Sequence, residues 1–310
     1  MTGLDNAIYL GVGNVSFDEK LGKYYQNFTP ALTHFNNTDY YTFDENKIPK
    51  YKGAYYTVII IQYALICHDL LIDNLDADKN RIIVIKCIDW LNSNKEEFKD
   101  SYVWKNPRDM HYNLESGWVS GMCQGQALSL YLRVYQLFGN KEYLEIANKI
   151  YNSFKYDYVD GGFKRIDKND NIWFEEYPTK SPSFVLNGFC YSIFGVLDLY
   201  RVTKKKELVE LWGSCISTIE NNLFKYDVWY WSLYDQQKKE LVSFYYQKNV
   251  HVPLLLILNE LTKKNIFKDY ADKWKRNLDS PFCRVITKIM YRIKPRFNSL
   301  LEKVFYMRSN

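Results

Sequence analysis

The 310-residue sequence predicts a mainly α fold, an incomplete (α/α) barrel or toroid of about four helical hairpins, with short β-hairpins at its rim. Three observations predict it. Helical-period runs at 54–72, 81–97, 117–138, 141–154, 183–202, 206–223, 249–262 and 265–277 come in pairs joined by short connections, the mark of antiparallel neighbours. The first run of each pair is apolar or small on nearly every side, as in "YYTVIIIQYALICHDLL" and "SFVLNGFCYSIFGVLDLY", whereas the second is amphipathic and charged. A helix apolar all round is buried and a one-sided helix covers it. The first runs begin near 55, 117, 183 and 249, a repeat of about 65 residues. An inner ring wrapped by an outer ring follows.

The elements in order fit that plan. Residues 1–50, with "YYQNFTPALTHFNNTDYYTFDEN", form an irregular or β N-terminal segment holding a short hairpin. Residues 51–280 form the barrel and 281–310 a basic amphipathic tail. Asn140 is an N-cap before "KEYLEIANKIYNSF", and Ser181 before Pro182 marks the start of the third inner helix. The long connections 98–116, 155–182 and 224–248 each lead from an outer helix to the next inner one, so all emerge at one rim. Helix N-termini there favour anionic groups. Connections of this length in a compact domain carry function, so the rim is the expected site.

Composition narrows the function classes. Hydrophobic residues at 47% and charged residues at 25% describe a globular chain. Aromatics reach 17%, with 28 Tyr, 18 Phe and 8 Trp. That excess suits sugar binding, where rings cover C–H faces and hydroxyls bond polar groups, and it also suits plain core packing or composition bias. A net charge of +5 is mild, fits a polyanionic substrate weakly and does not call for nucleic acid. No stretch of eighteen apolar residues is present. Six cysteines without a CxxC pair, and a start lacking a basic-then-apolar run, predict free thiols and a cytoplasmic chain. "GVGNVSF" does not complete a dinucleotide fingerprint, the four His have no ligand spacing, and no cofactor or metal is implied.

Candidate chemistry sits in the three rim loops. "WKNPRDMHYNLESGWVSG" offers Arg108 as a carboxylate clamp, with His111, Tyr112 and Trp118. "DGGFKRIDKNDNIWFEEYPTKSPS" reads as a hairpin that aims Glu175 and Glu176 to opposite faces. One carboxylate then points inward among Trp173, Phe174 and Tyr177, where burial raises its pKa toward acid–base use; the bland reading has Glu176 capping the next helix. "KYDVWYWSLYDQQKKELVSFYYQKNVH" reads as a second hairpin and supplies Trp231, Tyr234, Tyr245, Tyr246 and His251. One glutamate of the pair and at most two of these tyrosines can be chemical. Arg108, His111, Trp118, Gln124, Arg165, Trp173, Asn187, Trp231 and His251 are the substrate-binding candidates.

"SGWVSGMCQGQALSLYLRVY", "WFEEYPTKSPSFVLNGFCYSIFGVLDLY" and "WSLYD" resemble the C-terminal helical domain of the D-glucuronyl C5-epimerases over roughly residues 50–262. The resemblance implies an (α/α) barrel and inversion of carbon 5 of a hexuronic acid within a heparosan-type polysaccharide. It carries the family's glutamate and tyrosine onto Glu176 and Tyr177, and further tyrosines onto Tyr234 and onto Tyr246 or Tyr245. Gln247 replaces a family histidine, and one extra residue precedes His251. The animal enzymes carry a long β-rich N-terminal region that fifty residues cannot supply. Either residues 1–50 build the cleft, or another subunit completes it, or activity is absent.

The expected function is a uronate C5-epimerase on an acidic glycan, with Glu176 and Tyr234 as opposed acid and base and Arg108 or Arg165 neutralising the substrate carboxylate. A polysaccharide lyase, which starts with the same proton abstraction, and a non-catalytic glycan-binding subunit are the alternatives. In the tail, Arg284, Lys288 and Arg292 oppose Phe282, Ile286, Ile289 and Ile293. That pattern suits an anionic membrane surface, packing on the barrel, or a homodimer contact.

Overall fold

The computed structural model describes residues 8–36 and 39–293. After a single turn, α1 (Leu32–Phe35), the chain lays down four antiparallel pairs. These are α2 (Thr57–Ile72) with α3 (Ala77–Asn94), α4 (Gly121–Phe138) with α5 (Lys141–Asn152), α6 (Leu186–Thr203) with α7 (Lys206–Asn222), and α9 (Val252–Thr262) with α10 (Asn265–Asp279). A short α8 (Phe244–Tyr246) passes through a π turn, Gln247–His251, into α9. Three of the pairs are joined by a left-handed residue after the inner helix, Gly139, Lys204 or Lys263, whose N–H reaches back to Tyr135, Tyr200 or Asn259.

Burial separates the rings as the hydrophobic pattern predicts. Inner α6 leaves only Tyr200, Val202 and Thr203 outside the core, whereas outer α10 buries Phe267, Ala271 and Trp274, one stripe at i, i+4, i+7. Neighbours in the inner ring follow chain order, α2, α4, α6 and the π turn leading into α9. The closest approach joins α4 and α6 at Gly125 and Gly195, where a Cβ on Gly195 would lie 2.9 Å from the Gly125 Cα. Only glycine permits that backbone contact.

Between α9 and α2 the ring is filled by residues 8–36. Leu10 donates its N–H to Asn249 Oδ1 (2.9 Å), Tyr24 donates its N–H to Asp69 (3.1 Å), and Phe35 packs on Tyr63 of α2. At the C-terminal ends of the inner helices the segment is held by charge. Asp198 accepts from Arg133 (2.5 Å), Arg201 (3.3 Å) and the Tyr25 hydroxyl (2.8 Å), and Arg201 Nε donates to the Asp18 carbonyl (2.7 Å).

Four two-stranded antiparallel hairpins decorate this frame: β1 (Tyr41–Phe43) with β2 (Pro49–Tyr51), β3 (Glu96–Phe98) with β4 (Ser101–Val103), β5 (Lys105–Asn106) with β6 (Trp118–Val119), and β7 (Lys164–Ile166) with β8 (Ile172–Phe174). Three local expectations are corrected. The third inner helix starts at Leu186 and not at Ser181–Pro182, because the Ser183 and Phe184 amides are taken by Glu175. The third rim loop forms two isolated bridges, Asp227 with Ser232 and Leu233 with Leu241, in place of a hairpin ladder. The last inner helix begins at Phe244, capped by the Ser243 side chain, ahead of the expected 249.

Candidate active site

Strand β8 ends at Phe174, and the next two residues point to opposite sides. Both are buried, with opposite surroundings. Glu175 turns into the scaffold, where Arg165 Nε (2.9 Å), the Ser183 hydroxyl (2.5 Å) and the Ser183 (3.2 Å) and Phe184 (2.9 Å) amides all donate to it. The capping role considered for Glu176 thus falls to its neighbour. Glu176 turns toward the centre of the ring and meets neutral donors: the Tyr234 hydroxyl donates to Oε1 at 3.1 Å and Asn187 Nδ2 to Oε2 at 3.4 Å. It lies flat on Gly188, where any side chain would overlap it.

Burial raises the Glu176 carboxyl to about pH 7; hydrogen bonds from Tyr234, Tyr177 and Asn187 oppose the shift without cancelling it. The tyrosines shift the other way from use as bases. Burial, with the charge of Glu176, pushes Tyr234 and Tyr246 well above their ordinary range, and Glu176 with burial does the same to Tyr177. All three hydroxyls therefore stay protonated donors at neutral pH. Tyr246 meets the edge of Tyr234 with centroids 5.5 Å apart. Tyr177 stacks on Tyr112 at 4.1 Å, and the Tyr112 hydroxyl donates to buried Asp235 at 2.6 Å.

A cavity of about 280 Å³ opens against this group. Asn187 and Tyr246 form its wall on the Glu176 side, with Met122 and Tyr191; Gln62 and Ile66 of α2 and Leu10, Phe28, His34 and Phe35 of the N-terminal segment form the other. Asn187 Oδ1 is buried with no hydrogen-bond partner among the described residues. The segment 8–36 is thus part of the cleft wall, a contribution that sequence periodicity misses because the segment has none.

The π turn accounts for the extra residue before His251. A π turn holds one residue more than an α turn, so Tyr246 and His251, five apart, still bring their rings within 5.4 Å. Burial lowers His251 to about pH 3, leaving a neutral imidazole whose Nδ1 lies 2.9 Å from the Ser232 hydroxyl.

The remaining predicted residues fall elsewhere. Arg165 is corrected as a clamp for a substrate carboxylate: Glu175 holds its Nε, the Thr179 carbonyl accepts from it, and its plane covers Tyr158 at 3.5 Å. Arg108 lies exposed, paired with Glu115 (3.2 Å), and His111 pairs with Glu240 (3.3 Å) at the outer rim. Gln124 is spent on the Tyr102 carbonyl and the Ser153 hydroxyl. Trp173 stacks on Phe184 and Trp231 donates to the Val242 carbonyl, both deep in the scaffold. Trp118 donates to the Pro107 carbonyl and lies 5.4 Å from Tyr177. Among the described residues no cluster of three or more His, Cys, Asp or Glu is placed to hold a metal, and no helix is long and apolar enough to cross a membrane.

A solved GH76 α-mannanase of Bacteroides thetaiotaomicron shares the fold with a TM-score of 0.50, over 77% of this chain and 63% of that one, at 11% identity. A D-glucuronyl C5-epimerase of Caenorhabditis elegans is 32% identical over 208 residues, 60% of this chain and 33% of that protein. An uncharacterised protein of Methanocaldococcus jannaschii is 32% identical over 167 residues, 53% of this chain and 54% of that one. The matched part spans a third to about half of these relatives. The model of the D-glucuronyl C5-epimerase C-terminus matches residues 94–276, more than half of the chain, including all three rim loops and the Glu176 group, and the chain belongs to that family.

Proposed function

We propose that the chain is a uronate C5-epimerase, inverting carbon 5 of a glucuronic-type residue in an acidic glycan. The observation that carries this reading is Glu176, a buried carboxyl raised to about pH 7 and held only by neutral donors, one of which, Asn187, lines a cavity of about 280 Å³. A base of that pKa is half ionised near neutral pH, the condition in which it removes and returns protons with least bias.

In the reaction, ionised Glu176 takes the C5 proton and the C–H electron pair moves into the substrate carboxylate, forming an ene-diolate. A hydroxyl of the Tyr234–Tyr246 pair then gives a proton to the other face of carbon 5. Glu176 and Tyr234 bond each other directly, so a sugar ring does not fit between them in this arrangement. Tyr246, which lines the cavity, is the better placed donor, and Tyr234 passes the proton from Glu176 back to it. Tyr177 and Asn187 supply donors to the developing oxyanion, and the unpaired Asn187 Oδ1 accepts from a sugar hydroxyl.

Incubation with glucuronate-containing oligosaccharides in heavy water tests the reading, with deuterium at carbon 5 followed by NMR. The wild-type chain incorporates deuterium, and Glu176→Gln slows incorporation about 10²–10⁴-fold. No incorporation from heparosan-type or other glucuronate chains, or equal incorporation by the variant, would refute it. Appearance of an unsaturated product instead marks a lyase.

A further inference from the structure

After α10, Ser280 caps a further helix, residues 281–293, with its hydroxyl accepting from the Cys283 amide (3.3 Å). This helix uses its apolar residues unusually. Cys283 and Thr287 are buried against the body, and the Tyr291 hydroxyl donates to the Val242 carbonyl. The stripe formed by Phe282, Val285, Ile289 and Ile293 is left outside, at 66%, 55%, 46% and 49% exposure. At helical spacing these four share one face about 100° wide, and Arg284, Lys288 and Arg292 run beside it.

The charge of the chain is concentrated here. Residues 281–310 contain seven Lys and Arg against the single acid Glu302, a net of +6 where the whole chain carries +5. The other 280 residues are therefore close to neutral. Residues 294–310 lie outside the described residues. A second feature adjoins the helix: Trp229 is 59% exposed, its carbonyl accepts from Asn277 (3.0 Å), and Asn277 Oδ1 in turn meets Cys283 Sγ (3.9 Å). An exposed Trp beside an apolar stripe and a basic stripe is the makeup of an interfacial helix.

We infer that the outer face of residues 281–293 docks on an anionic lipid bilayer, with Phe282, Val285, Ile289 and Ile293 entering the headgroup boundary and Lys288 and Arg292 on lipid phosphates. Complementary charge selects this occupant, since a second copy would set Arg284, Lys288 and Arg292 against their own like charges. Docking has a consequence for substrate that rests on the epimerase reading: Val242, which anchors the helix, belongs to the rim loop carrying Tyr234, so the cleft mouth lies near the membrane and a lipid-borne acidic glycan reaches it.

Flotation of the full chain with vesicles of phosphatidylcholine, with and without phosphatidylglycerol, tests the docking without any assay of activity. The chain floats with the anionic vesicles only, and added salt releases it. Lys288→Glu with Arg292→Glu lowers partition about tenfold or more, as does Val285→Ser with Ile289→Ser, and neither pair moves the thermal unfolding midpoint because all four side chains are exposed. Absence of flotation, equal partition into neutral vesicles, or a dimer that Val285→Ser with Ile289→Ser converts to monomer without vesicle binding would each overturn the inference.

Discussion

Helix α6 meets a buried acidic side chain near each end, and the two are built on opposite principles. At its C-terminal end, Asp198 sits between two arginines and a tyrosine hydroxyl, so two of its three donors are cationic. At its N-terminal end, Glu176 rests on Gly188 and Asn187 with only neutral donors, so neither protonation state is locked in. The same fold supplies a clamp at one end and a titratable group at the other. What differs is the partner, and partners are what distinguish a structural acid from a reactive one.

Breaking the clamp has the larger effect on stability. Asp198→Ala leaves the Arg133 and Arg201 guanidiniums buried without their shared counter-ion and frees the N-terminal segment they hold. Loss of one member of such a buried group costs about 3–5 kcal/mol. Urea unfolding of the variant is expected to show a shift of that size. A cost below about 1 kcal/mol, the range of an exposed pair, would show that the network does not close the ring.

Glu176 predicts the reverse behaviour, with a pH signature. Its folded pKa of about 7 lies above the ordinary 4.5, so the folded state holds the proton more tightly than the unfolded chain does. Below about pH 4.5 both states are protonated and the group is neutral in effect. Between about pH 4.5 and pH 7 the unfolded chain gives up this proton while the folded state keeps it, so stability falls by about 3 kcal/mol from this group and then levels off. Glu176→Gln has no such loss. Relative to the wild type it should gain about 3 kcal/mol between about pH 4.5 and pH 8.5 in denaturant melts, while deuterium incorporation slows by the factor expected above. A pH-independent difference between the two proteins would mean that Glu176 titrates normally.

Much of this contrast was legible in the sequence, and the reasons are local. The ring of hairpins follows from hydrophobic period, a property of each helix alone. The "EEYP" stretch drew attention because acids stood among aromatics before an apolar run, and β-alternation separated Glu175 from Glu176. Which residue meets which cation was not legible. Arg165 is ten residues from Glu175 but reaches it across the hairpin, and a sequence position carries no record of such pairing. Residues 8–36 have neither helical nor strand period, so their place in the cleft wall depends on bonds to Asp69, Asn249 and Arg201 that span up to 239 positions.

Gly188 offers the smallest and most local way to separate the two ends of α6. An added methyl would lie 2.5 Å from the Glu176 Cβ and overlap its carboxylate, yet nothing at the Asp198 end would feel it. Since α6 there has no positive φ to relieve, alanine should favour the helix itself by about 0.5–1 kcal/mol, and overpacking opposes this by about 1–3 kcal/mol. The net cost in stability is therefore about 2.5 kcal/mol or less. On the proposed mechanism, displacement of the Glu176 carboxylate by an ångström, in contrast, lowers turnover on the order of 100-fold. Gly213→Ala in α7, where an added Cβ meets nothing within 4 Å, is the control and should leave turnover unchanged. If Gly188→Ala exchanges carbon-5 hydrogen as fast as Gly213→Ala does, the placement of Glu176 against α6 is not what the reaction depends on.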